Sequence, residues 1–127
     1  MNLIQYLNIQ TVQQQVDCVQ LKLMVTPQVC QPFGQLHGGI NSVLAETAAS
    51  MGANLNLPAH QVAVGTQLQT NHLRSVTEGE LFVQATPIQR GSRLQVWQAV
   101  TYQQARDQPT SLSTVTLLAV DNHHSIK

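Results

Sequence analysis

Charge is scarce in this chain: six Lys and Arg stand against six Asp and Glu in 127 residues, for a formal net charge of zero. Such a balance offers no basic field to hold a polyanion without regard to sequence, and nucleic acid is not an expected partner. Long apolar runs are also missing. No stretch approaches the length of a membrane span, and the opening MNLIQYLNIQ has neither a basic n-region nor a continuous apolar h-region. A soluble cytoplasmic protein with no membrane partner is therefore expected. Cysteine occurs only as Cys18 and Cys30, with no CxxC pair and no His/Cys cluster at metal spacing. That argues against a disulfide framework or a structural zinc site and for reduced, structural cysteines. His123 and His124, adjacent in a polar tail, read as solvated side chains without a metal role. Repeats, low-complexity blocks and interdomain linkers are absent too, and 127 residues suit a single domain spanning positions 1–127.

Glutamine is abundant instead, and it alternates with apolar residues in VGTQLQT and RLQVWQAVTYQQ. This is the period-2 pattern of half-exposed strands. LIQYLNI reads as a short leading helix, and QTVQQQVDCVQLKLMV as one long strand or a hairpin. TPQVCQPFGQLHGG, with two prolines and three glycines, must be a loop. From 38 to about 56 no proline interrupts, alanine and leucine recur, and Pro58 stops the pattern, so one long helix is predicted there. Four strand-like segments follow, QVAVGTQLQT, GELFVQATPI, SRLQVWQAVTY and TSLSTVTLLAV. One long helix followed by four strands cannot build alternating βαβ units. An α+β fold is expected, with a mainly antiparallel sheet closing over the helix. Ala45, Ala48, Ala49, Gly52 and Ala53 leave little bulk on several helix faces, which permits close approach by the sheet and by something else.

Within that helix Glu46 is the one carboxylate, and no Lys or Arg occurs between Lys22 and Arg74. A local ion pair therefore does not explain it, and an unpaired charge against an apolar interior is costly. Ser50, four residues on, shares its face. Gly38 and Gly39 open the helix, where free N–H groups and aligned peptide dipoles suit a developing oxyanion. A polarising N–H and a carboxylate are the main parts needed for acyl transfer. They lie eight residues apart, roughly 12 Å at 1.5 Å per residue, too far for one side chain to span. If both act on one substrate, Glu46 must come from a second copy, and a two-fold dimer makes two such sites at once.

At these residues the sequence resembles the hotdog-fold acyl-CoA thioesterases, in the PaaI-like branch that includes the Arthrobacter-type 4-hydroxybenzoyl-CoA thioesterase and the 1,4-dihydroxy-2-naphthoyl-CoA thioesterase of menaquinone synthesis. The likeness spans residues 25–120 and includes QPFGQLHGGINSVLAETAAS, VGTQLQTNHLRSVTEGEL and GSRLQVWQ. HGG alone is a weak signal. HGG with Gln31 seven residues before Gly38, Glu46 eight after it and a later NHLRS is a strong one.

The resemblance implies a curved antiparallel sheet wrapped around a central helix, active sites composed from both subunits of a homodimer, and association of two dimers. It implies that Gly38 N–H polarises the thioester carbonyl with help from Gln31, and that the partner's Glu46 attacks the carbonyl or activates water. Ser50 would then position the water or the carboxylate. His37 and His72 match histidines lining the site, although His37 could equally bond its own loop and His72 could simply cap a strand end. Gly39, Arg74, Ser75 and Arg93 fall in segments that touch coenzyme A, and an arginine fork suits its phosphates. The expected activity is hydrolysis of acyl-CoA thioesters, aromatic ones preferred, with no metal or other cofactor. A non-catalytic acyl-CoA sensor and a hydratase or dehydratase on the related fold are the alternatives.

Overall fold

A computed structural model describes residues 1–122 of the chain; His123 and His124 lie outside them. The leading helix α1 is a single turn, Leu3–Tyr6, closed by a reciprocal capping box between Asn2 and Gln5. The glutamine-rich segment is a hairpin rather than one strand, with β1 over Gln10–Gln15 and β2 over Cys18–Val25. The predicted loop carries a short 3-10 turn at Pro27–Val29 and leads into the long helix α2, Gly38–Leu55. Strands β3 (Gln61–His72), β4 (Gly79–Arg90), β5 (Leu94–Tyr102) and β6 (Ser111–Asp121) complete the chain.

All six strands form one sheet in the order β1-β2-β4-β5-β6-β3, and every neighbouring pair is antiparallel. Bulges between Thr11 and Gln13, Gly65 and Gln67, and Pro87 and Gln89 bend the strands they interrupt. The sheet curves around α2. Alternate residues of the central strands point inward, among them Leu21 and Leu23, Leu81 and Val83, Trp97 and Ala99, and Val115 and Leu117, all buried. Strand β3 is an edge, and most of its residues are exposed or half-buried.

Helix α2 meets this surface with a continuous stripe: Asn41, Leu44, Ala45, Ala48, Ala49, Gly52 and Ala53 are its buried residues. Their spacing of three and four follows the helical repeat. The closest approach is at Gly52. A Cβ there would stand 2.3 Å from Cη2 of Trp97, inside any real contact distance. The indole cannot retreat, because it is fully buried and its Nε1–H donates to Gln95 Oε1 at 2.9 Å, while Gln95 Nε2–H donates to the Ala53 carbonyl at 3.1 Å. Gly52→Ala is therefore expected to lower stability by about 1–3 kcal/mol through overpacking, outweighing the roughly 1 kcal/mol that alanine gains in helix propensity. Urea denaturation of the two proteins checks this; an unchanged or raised midpoint would show that the indole is not held.

Candidate functional site

The segment before α2 is stitched down on both sides. Leu36 N–H donates to the Val76 carbonyl (2.8 Å) and His37 N–H to that of Val29 (2.9 Å), while Cys30 and Leu36 form a one-residue bridge. These bonds bring Gln31 and the start of the helix to the segment after β3. A cavity of about 350 Å³ opens between them, lined in part by Gln31, Gly38, Asn41, His72, Arg74 and Ser75. Leu73 and Arg74 N–H groups both donate to the Thr110 carbonyl, at 2.9 and 3.2 Å, which fixes the far wall.

His37 is the N-cap of α2, and its Nδ1 accepts the Gly39 N–H at 2.9 Å. This corrects the expectation that both opening glycines offer their N–H groups. Gly39's is satisfied by His37, and Gly38, which lines the cavity, is the one whose N–H has no partner among the described residues. The bond to Gly39 is the loop contact of the alternative reading for His37, which is exposed. His72, the last residue of β3, lays its ring on Gly38: a Cβ there would meet Cε1 at 2.9 Å and Nε2 at 3.0 Å.

Glu46 and Ser50 do share a helix face, and they line a second cavity, about 560 Å³, together with Val43, Met51, Leu55 and Leu3 and Ile4 of α1. The two cavities have no lining residue in common. Glu46 is half-buried, and among the described residues no hydrogen bond or ion pair holds its carboxylate. It lies over β3 at the bulge. A Cβ on Gly65 would stand 2.2 Å from Glu46 Oε2, so the absence of a side chain at Gly65 is what seats the carboxylate. The strand is held there by Asn54, whose Oδ1 accepts the Ala63 N–H at 3.0 Å. Gly65→Ala should displace Glu46 while costing under about 1 kcal/mol, since the clashing atom ends a rotatable chain. A misplacement of about 1 Å is worth roughly 100-fold in turnover. Steady-state kinetics beside a thermal melt would check the pairing of lost turnover with retained stability.

The sequence that carries the unpaired carboxylate and the helix-start N–H, residues 33–110, matches the family of the thioesterase superfamily. The chain belongs to the thioesterase superfamily. The matched segment runs from the loop before α2 to the residue before β6 and so includes every α2 residue that lines either cavity. This thioesterase is 35% identical over 117 residues to the proofreading thioesterase EntH of Cronobacter turicensis, spanning 91% of this chain and 85% of that one. It is 42% identical over 78 residues to the 1,4-dihydroxy-2-naphthoyl-CoA hydrolase of Listeria monocytogenes, covering 61% of this chain and 63% of the relative. Among solved structures, a thioesterase from Haemophilus influenzae superposes with a TM-score of 0.87 at 33% identity, over 93% of this chain and 82% of that one. The expected hotdog fold and the thioester hydrolase activity both stand on these likenesses.

Within one chain, then, the thioesterase gathers Gln31, Gly38, His72, Arg74 and Ser75 at one cavity and Glu46 and Ser50 at another. Arg93 joins neither. It lies in the β4–β5 turn, where its carbonyl accepts the Ala119 N–H, at the end of the sheet opposite to His72 and Arg74. Sequence reasoning did not single out Asn41, Gly65 or the apolar residues of α1. Gly65 carried a readable signal, since an isolated glycine in a strand marks a bulge or a close approach. Asn41 carried a weaker one, as a polar residue on the alanine side of a helix. Among the described residues no group of three or more His, Cys, Asp or Glu side chains has metal-binding geometry, and no helix is long and apolar enough to cross a membrane.

Proposed function

We propose that this thioesterase hydrolyses acyl-CoA thioesters with aromatic acyl groups, at sites that each combine the Gly38 cavity of one subunit with Glu46 of another. The observation that carries the reading is the separation of the two cavities: Gly38, with its N–H, and Glu46, with its carboxylate, are both without a hydrogen-bond partner for those groups among the described residues, yet they line different spaces of one chain. A two-fold pairing through the edge strand β3, which already carries Gly65 and His72, would set the two halves against each other in both copies. Association of two such dimers rests on the family resemblance alone.

In this arrangement Gly38 N–H, with Gln31 beside it, holds the thioester carbonyl oxygen and stabilises the charge that gathers there. Glu46 either takes a proton from water as the water oxygen bonds to the carbonyl carbon, or attacks that carbon itself to form an anhydride that water then cleaves. Either course breaks the C–S bond, releases coenzyme A as its thiol and leaves a carboxylic acid. Ser50, half-buried on the Glu46 face, positions the water or the carboxylate. Arg74 and Ser75 hold the nucleotide end of coenzyme A, with the partner subunit's Arg93 as a further contact across the two-fold. The apolar wall of Leu3, Ile4, Val43, Met51 and Leu55 supports an acyl group that is bulky and uncharged. The chemistry runs on these side chains and the backbone, with no resident metal or cofactor. A panel of aryl and aliphatic acyl-CoA thioesters, read by thiol release, tests the reading: turnover with aryl substrates favoured is expected. Tight binding without hydrolysis would point to a sensor instead, and hydration of an enoyl-CoA to a hydratase.

A further inference from the structure

We propose that Asn41 sets the tautomer of His72, so that the imidazole presents its Nε2–H as a second hydrogen-bond donor beside Gly38. The inference rests on the Gly38 cavity being the seat of the substrate carbonyl. Asn41 is 4% exposed and sits in the first turn of α2, facing the sheet. A buried amide must have its polar atoms met, and this one has them met by side chains alone. Its Oδ1 accepts from Thr101 Oγ1 at 3.3 Å, and its Nδ2 lies 3.1 Å from His72 Nδ1. Thr101 is itself flanked by the hydroxyls of Thr110, at 2.7 Å, and Ser111. A threonine hydroxyl has one proton to give. With that proton committed to Asn41, Thr110 and Ser111 donate to Thr101, the amide is held with its NH₂ toward the histidine, and Nδ1 becomes an acceptor. A neutral ring must then carry its proton on Nε2.

The direction of that N–H matters because of where the ring lies. Cε1 and Nε2 are the ring atoms against Gly38, and both residues line the same cavity. His72 is exposed at a strand end, where a side chain would ordinarily turn freely. A parallel chain of hydroxyls, Ser42 to Thr70 at 3.0 Å and Thr70 to Ser113 at 2.8 Å, ties the end of β3 to the first turn of α2 and to β6. The strand end is thus placed by one polar chain and its terminal ring oriented by another. The fold does not need an exposed histidine to be oriented, whereas a donor aimed at a carbonyl oxygen does. Asn41 acts as a positioning residue, and His72 supplies a donor without giving up its proton.

The long-range ¹H–¹⁵N spectrum of the full chain labelled at histidine tests this at a pH about two units above the usual imidazole value of ~6.5. His72 signals are assigned by their loss in His72→Gln. Wild-type protein should show His72 with Nε2 protonated and Nδ1 bare, and Asn41→Asp, which turns the donor facing Nδ1 into an acceptor, should move a proton onto Nδ1. In Asn41→Leu the two tautomers should mix and kcat should fall by about 10- to 100-fold per folded protein with KM little changed, less than the roughly 100- to 1,000-fold cost of removing an oxyanion donor outright, because the donor is misaligned and not lost. A protonated Nδ1 or an even mixture in wild type overturns the proposal, as does an Nδ1 that stays bare in Asn41→Asp or an unchanged kcat in Asn41→Leu. Should the leucine variant fail to fold, the wild-type spectrum still decides. It is read without substrate, so a failure of the thioesterase reading would show separately, as absent turnover in the wild-type enzyme.

Discussion

Glu46→Gln is expected to lose turnover by about 100- to 10,000-fold, the range over which a positioned acid or base contributes, while binding of coenzyme A thioesters and thermal stability survive. Glutamine keeps the shape and the hydrogen-bonding capacity of the side chain and removes only its charge. Because Glu46 has no ion-pair partner among the described residues, no cation is left uncompensated by the change. Its seat over Gly65 accepts an amide of the same size. A structural carboxylate would behave in the opposite way, since breaking a buried pair costs about 3–5 kcal/mol and activity would fall only as folded protein is lost. Thermal melts, thioester-analogue binding and single-turnover rates on the same preparations separate the two. Full activity in a stable Glu46→Gln protein would remove the carboxylate from the mechanism.

Mixing two inactive variants should restore activity. Glu46→Ala retains the Gly38 cavity, and Gly38→Val retains Glu46 while driving a side chain into the His72 ring, already 2.9 Å from a Cβ at that position. In a randomly mixed two-fold dimer half of the molecules are heterodimers, each with one intact and one doubly damaged site, so about one quarter of wild-type turnover should return. Sites contained in single chains would return none, because every chain would still carry a lesion. The mixture needs mass-spectrometric proof of subunit exchange. No recovery with exchange proven would place the whole reaction within one subunit.

The helix over 38–55 was legible because its limits are local: no proline within it, Pro58 beyond it, and glycine at its start. The strands were legible through their period-2 alternation, and even the undecided hairpin resolved at a Val16-Asp17 turn that composition allowed. The distance between Gly38 and Glu46 needed only the rise of a helix, and the separation of their cavities agrees with it. What could not be read is contact across the sheet. That Gly65 underlies Glu46, or that Asn41 meets His72, depends on the register of α2 against β3, and no periodicity within either segment encodes that register. The capping of Gly39 by His37 was hidden for a different reason. It turns on one ring's rotation, and both outcomes suit the same three residues. Arg93 shows the limit of motif resemblance, since likeness along a sequence does not say that two segments meet at one cavity of the folded chain.

The alanine stripe of α2 has a geometric consequence. Methyl groups at Ala45, Ala48, Ala49 and Ala53 are nearly alike, so a helix packed through them meets the sheet with almost the same shape after a small roll about its own axis. Each residue of slip turns such a helix by about 100°, enough to carry Glu46 off Gly65 and away from its cavity. The angular setting is instead keyed by the few uneven places on the stripe: the gap at Gly52 that only the Trp97 ring fills, and the polar clasps of Asn41, Ser42 and Asn54 on β3 and β5. In mechanical terms α2 is a smooth shaft with keys at both ends, and the carboxylate is mounted midway between them. Wear on the shaft, such as exchange of one of the four alanines for another small residue, should be tolerated far better than loss of a key.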